Sequence, residues 1–156
     1  MSTALVRTLI VLAALLVFGS VNYAIYARER TIRHGEVVYL ELAPVDPRSL
    51  MQGDYMALRF SIATKVRPDP ASGRIWLQLD DRRVADIARS PTESSLPLRY
   101  RMRKGDVWLG TNAYFFEEGS ADRFAGARYG KFRVDRHTGD AVLVALCDDE
   151  LRELGQ

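Results

Sequence analysis

Thr8 to Tyr26, TLIVLAALLVFGSVNYAIY, is a run of 19 residues without a charge, and it constrains everything that follows it. As a helix rising about 1.5 Å per residue it spans roughly 29 Å, close to the hydrocarbon thickness of a bilayer. The run predicts one membrane-spanning helix. A cleaved secretory signal is the competing reading, and it fits poorly because such signals have an apolar core of about 7 to 15 residues and a small-x-small cleavage site. Cleavage after Ala27, Ala24 or Ser20 would place Ile25, Asn22 or Phe18 at the minus-three position. Tyr23 and Tyr26 suit the interfacial aromatic belt, and Arg28, Arg30 and Arg33 mark the return to water.

Orientation draws on two opposed signals. One arginine, Arg7, precedes the span and three follow it, which by the positive-inside rule favours a cytoplasmic domain. The short head, Met1 to Arg7, carries no acid and resembles that of a signal-anchor, which is retained inside while the following domain is exported. We take the second as deciding and expect the domain outside the cytoplasm. The expected organisation is a head over residues 1–7, the helix over 8–26, a juxtamembrane linker over 27–34 and one domain over 35–156.

About 120 residues suffice for one domain with a real core. Beyond the span lie 21 basic and 20 acidic residues, a formal charge of plus one, which argues against a dedicated nucleic-acid binder. The single cysteine, Cys147, excludes an internal disulfide and any multi-cysteine metal site. His34 and His137 lack a second ligand at metal-site spacing, so no metal and no cofactor is expected.

After Gly35 the apolar period is two, interrupted by turn signals, which predicts a mainly β fold: a compact antiparallel sheet or small barrel behind the helix. The expected strands are Glu36–Leu42, Tyr55–Ile62, Arg74–Asp80, a segment near Val84, Leu98–Arg103, a segment at Val107, Ala113–Glu117, Lys131–Asp135 and AVLVALC from Ala141. The last two are joined by RHTGD, where Gly139 permits a tight hairpin loop. Ser120 to Ala127 is expected to form a helical turn, and DDELREL a short terminal helix opened by its acids. Cys147 is expected in the core, and Trp76 and Trp108 as packing anchors.

The most distinctive segment is PVDPRSLMQGDYMALRF, Pro44 to Phe60. Gly53, Asp54, Tyr55, Met56, Ala57, Leu58, Arg59 and Phe60 resemble the signature of the GDYXXLXY family of bacterial membrane-associated proteins, with phenylalanine in the final tyrosine position. The upstream PVDPR and the downstream FFEEG and ARYG also fit that family's pattern. The resemblance implies a small membrane-associated protein and brings no catalytic residues with it.

The residues themselves suggest a polar site. Pro47 stiffens the turn carrying Asp46 and Arg48. Asp54 falls in the alternating set of Met56, Leu58 and Phe60, so its carboxylate needs a partner at the strand mouth. Asp46, Arg48, Asp54, Tyr55, Glu118, Arg128 and Tyr129 are therefore the candidate ligand-binding residues, and none is assigned as catalytic. The bland alternative is that Asp46 and Asp54 brace the loop. Arg99, Arg101 and Arg103 share one strand face, which suits anionic lipid headgroups or, more simply, a solvated face paired with neighbouring acids. A signal-peptidase-like reading fails at Val45, eight residues before Gly53, where a nucleophilic serine would stand.

The functional expectation is a single-pass, non-enzymatic accessory or ligand-binding β domain on the periplasmic side of a bacterial cytoplasmic membrane. Its expected partners are the bilayer through residues 8–26 and a multi-pass membrane protein. The alternative is a carboxylate- or metal-dependent hydrolase with its pocket around the DPR and GDY loops.

Overall fold

The computed structural model of the chain describes residues 3–43, 55–66, 73–103 and 105–155, and the backbone of 51–52. Helix α1, Thr3–His34, is long and apolar enough to cross a membrane, and its apolar stretch is wholly unburied by the domain. It runs unbroken through residues 27–34, so the segment expected as a linker is helical. Glu29 and Arg33, one turn apart, form an ion pair, and Arg33 and His34 complement the negative end of the helix dipole.

Eleven short strands follow among the described residues: β1 Glu36–Glu41, β2 Met51–Gln52, β3 Tyr55–Ala57, β4 Arg74–Leu79, β5 Ala85–Ile87, β6 Leu96–Arg99, β7 Arg101–Arg103, β8 Asp106–Trp108, β9 Ala113–Phe115, β10 Tyr129–Val134 and β11 Ala141–Cys147. A short helix α2, Ser61–Lys65, and a 3₁₀ turn, Ala121–Phe124, complete the fold. Among the described residues every pairing between these strands is antiparallel, and Tyr39 of β1 adds one isolated parallel bridge to Val84. The strands form small sheets in the orders β1-β10-β11, β2-β3-β9, β5-β4-β6 and β7-β8, with no closed barrel among the described residues.

Alternation explains the core. In β10, Gly130, Phe132 and Val134 point inward while Tyr129, Lys131 and Arg133 are half-exposed. Val38 and Leu40 of β1, Leu77 of β4, Leu96 and Leu98 of β6, Leu109 and Leu146 bury completely or nearly so in the same cluster. Each such side chain stabilises the fold by about 1.5–3 kcal/mol relative to exposure. After a bulge at Lys131/Phe132, Leu146 pairs with Gly130 and joins the core cluster, while Ala145 and Cys147, opposite Lys131 and Tyr129, are buried on the other face, where Glu153 bridges Cys147; the expected burial of Cys147 is met.

The β10-β11 loop forms as predicted. The Asp135 carboxylate accepts the amides of Thr138 at 2.8 Å and His137 at 2.9 Å, which holds its carboxyl below the usual range against the opposing effect of burial. Gly139 adopts φ +75, and its carbonyl accepts the Arg99 amide at 2.8 Å, tying the hairpin loop to β6.

Four expectations need correction. The strand expected over Tyr55–Ile62 ends at Ala57: the chain bends through Leu58, bridges Leu42 at Phe60 and turns into α2. The hydrogen-bond partner changes there, Leu58 donating to the Asn112 carbonyl and Ala43 to the Arg59 carbonyl. Leu98–Arg103 is two strands, broken at Tyr100, whose amide donates to the Gly73 carbonyl. The tail is not a helix. Asp148 accepts the amides of Glu150 at 3.1 Å and Arg152 at 2.9 Å, Leu151 takes φ 66, and the chain folds back so that Leu154 donates to the Leu146 carbonyl. Trp76 is 39% exposed on β4 and so is not a packing anchor.

Candidate functional site

The motif loop is closed at its base by the end of β1. Leu42 and Phe60 form an isolated bridge, Ala43 donates to the Arg59 carbonyl at 2.8 Å, and the Ser61 hydroxyl donates to the Leu42 carbonyl at 3.3 Å. Residues 43 and 59 therefore stand side by side. Asp46, Arg48 and Asp54 lie outside the described residues.

From Tyr55 onward the motif can be read residue by residue. Met56, Leu58 and Phe60 are 2–3% exposed, whereas Tyr55 and Ala57 are half-buried and Arg59 is exposed. Period two thus persists to Phe60 although the strand has ended. The Phe60 ring meets Phe132 edge to face at 5.3 Å between centroids and abuts the backbone of Gly130, where an added Cβ would come within 3.0 Å of the ring. The ring is the working part of this position, seated where β1, β10 and the motif converge.

Tyr55 pairs with Phe115 across β3 and β9, their rings 5.7 Å apart. Glu118 is exposed in the turn after β9. Arg128 and Tyr129 enter β10: the Arg128 amide donates to the Cys147 carbonyl and its own carbonyl accepts the Leu42 amide, both at 2.8 Å. Tyr129 pairs in register with Glu41 and Cys147. The structure thus sets Arg128 and Tyr129 together at the end of the β1-β10-β11 sheet, and Tyr55 in the neighbouring β2-β3-β9 sheet on the strand partner of the segment leading to Glu118.

Against this geometry the comparisons with known proteins can be placed. The profile of the GDYXXLXY protein family matches residues 17–146, from inside α1 to the penultimate residue of β11. The chain belongs to the GDYXXLXY family. Comparison with curated proteins and with solved structures found no match. In this GDYXXLXY protein the leucine and the final aromatic of the signature are core residues, which accounts for the tolerance of phenylalanine at position 60.

Two further groups of charged side chains are drawn together by the fold. Asp148, Asp149 and Glu150 bring carboxylate oxygens within 4.8 Å of one another. The Arg152 guanidinium lies 2.8 Å from Asp148 and 2.7 Å from Glu150, so two of the three carboxylates are already paired within the cluster. The second group adds Arg28 of α1 to Arg99, Arg101 and Arg103, the set read from the sequence, around one groove.

Cys147 offers a direct check of the core. Burial pushes its thiol up from 9.0 to about 11, with the Glu153 carboxylate adding in the same direction. Its thiolate population at mild pH is thereby about a hundredfold lower than that of an ordinary thiol. Alkylation of the native protein by iodoacetamide at pH 8 is expected to be at least that much slower than after denaturation; equal rates would place Cys147 at the surface. Because the folded state holds this proton more tightly, the associated stability is complete below pH 9 and is lost as pH rises through about 11. Cys147→Ala should remove that component of alkaline destabilisation.

Proposed function

We propose that this GDYXXLXY protein is a single-pass membrane protein whose β domain is a non-enzymatic accessory or binding module, held against the outer face of a bacterial cytoplasmic membrane beside a multi-pass partner. The observation that carries this reading is the join between helix and domain. The amide of Gly35 donates to the Thr31 carbonyl at 2.8 Å, Thr31 is buried, and the next residue already pairs with Val134. Arg133 donates to the Gly35 carbonyl at 3.0 Å, and the Glu36 carboxylate takes both Arg83 and Arg136. Helix and sheet thus meet without a hinge, and the last turns of α1 pack on β10 and β11. Such a join suits a domain whose position over the bilayer matters. The packing role of Met56, Leu58 and Phe60 supports the non-enzymatic reading, because the described part of the signature serves the core.

Alkaline carbonate extraction, together with an alkaline phosphatase fused after Gln156, tests the placement. The expected result is a chain retained in the membrane pellet with an active phosphatase. Release into the supernatant would overturn the anchor, and an inactive phosphatase on a retained chain would reverse the side.

A further inference from the structure

A groove of about 500 Å³ lies between α1 and the β7-β8 hairpin, and its walls include Arg28, Arg99, Arg101, Arg103, Trp108 and Asp140. Four guanidinium groups face one carboxylate. Asp140 is paired with Arg99 at 3.0 Å, and the Arg103 guanidinium lies 4.9 Å over the Trp108 ring. Arg28 and Arg101 have no ion pair among the described residues. A fifth arginine adjoins: Arg74 lines a smaller recess with Arg99 and Arg101, and stands directly opposite Arg99 in the β4-β6 register. Like charges placed opposite each other on a sheet destabilise it. An anion bound among them would relieve that repulsion. Neighbouring acids answer part of this charge, Asp140 pairing with Arg99 and Asp106 standing opposite Arg103 in the β7-β8 register.

Position selects the anion. Arg28 follows the end of the uncharged run by two residues, about 3 Å along the helix, whereas the headgroup layer on each side of the hydrocarbon is roughly 5–8 Å deep. The groove therefore opens at headgroup level. Phe115, 75% exposed, lines an adjoining recess that also contains Arg28, and Trp108 forms part of the arginine groove itself. Aromatic side chains of this kind favour the membrane interface. Arginine suits phosphate because its planar fork binds two oxygens at once.

We propose that this groove binds the phosphate headgroup of anionic phospholipids, so that the domain rests on the membrane surface and senses its charge. The proposal rests on the membrane-anchored reading above and goes beyond it. Arg101 and Arg103 supply the cationic wall, Arg28 closes it from the helix, and Trp108 holds Arg103 in place.

The test uses the full chain reconstituted in phosphatidylcholine vesicles containing a minor fraction of spin-labelled phosphatidylglycerol or, separately, spin-labelled phosphatidylcholine. The immobilised fraction of each label gives the relative affinity. The expected result is a preference for phosphatidylglycerol of at least tenfold, falling by about fivefold for each arginine removed in Arg101→Gln and Arg103→Gln. Both side chains are exposed, and circular dichroism verifies the fold. Arg28→Gln, at an exposed position on the helix and checked in the same way, should lower the preference equally. Equal affinity for both lipids, or an undiminished preference in the variants, would overturn the proposal. So would loss of the preference in millimolar inorganic phosphate, since the site would then belong to a small soluble anion. Co-flotation of the protein with vesicles of either composition reports the anchor separately, so failure of the anchor and failure of the groove are distinct results.

Discussion

Phe60→Ala is expected to lower the unfolding free energy of the domain by about 3–5 kcal/mol, a large share of the roughly 5–15 kcal/mol of an ordinary domain. The reason is its location more than its size. The ring is 2% exposed, packs edge to face on Phe132 and covers Gly130, while its backbone bridges Leu42 and begins α2. Truncation leaves a cavity where three segments meet, and the tight backbone of β10 limits collapse into it. Leu58→Ala, at 2% exposure, should cost about 2–5 kcal/mol by the same mechanism. Arg59→Ala, between them but exposed, should change stability by less than about 0.5 kcal/mol. Urea unfolding of the three variants checks this pattern. A large loss for Arg59→Ala with little change at Phe60 would mean that the signature works at the surface and not in the core.

Gly35→Ala is expected to be the most damaging glycine-to-alanine change among the described residues. Its Cβ would collide with the Thr31 carbonyl oxygen and come within 3.0 and 3.1 Å of the Val134 amide nitrogen and carbonyl oxygen. These are backbone atoms of the helix end and of β10, so neither can move without breaking the join. Overpacking of this kind costs about 1–3 kcal/mol, and the local opening that relieves it exposes the helix end. Tryptic cleavage after Arg30 and Arg33 should therefore accelerate by roughly tenfold or more relative to the native chain. Unchanged cleavage with unchanged thermal stability would show that helix and sheet are not packed together.

Legibility in the sequence followed hydrogen-bond continuity. The uncharged run and the alternating segments that became β1, β4, β10 and β11 were readable because burial and pairing agree along them. Tyr55–Ile62 was misread for the opposite reason: alternate burial continues through Phe60 while the backbone changes partners at Leu58, and side-chain pattern reports only burial. The terminal DDELREL carries good helix-start chemistry, yet Asp148 uses its carboxylate to turn the chain, and the fold-back onto Leu146 is a tertiary contact with no local signature. Residues 27–34 were read as a linker because charge ended the apolar run, although charge ends a membrane span without ending a helix. Of the candidate site, Arg128 and Tyr129 were placed together by adjacency alone. The arginine groove needed the fold, since Arg28 and Arg101 are brought to one cavity by the packing of α1 against the domain.

Amide hydrogen exchange over residues 27–35 of the full chain in a lipid bilayer bears most directly on the union of helix and domain. Continuous helix, buried Thr31 and the grip of Arg133 on Gly35 require protection there comparable to that of β10. Exchange at the rate of an unstructured peptide between Ala27 and Gly35, with β10 still protected, would contradict it and leave the domain on a free tether.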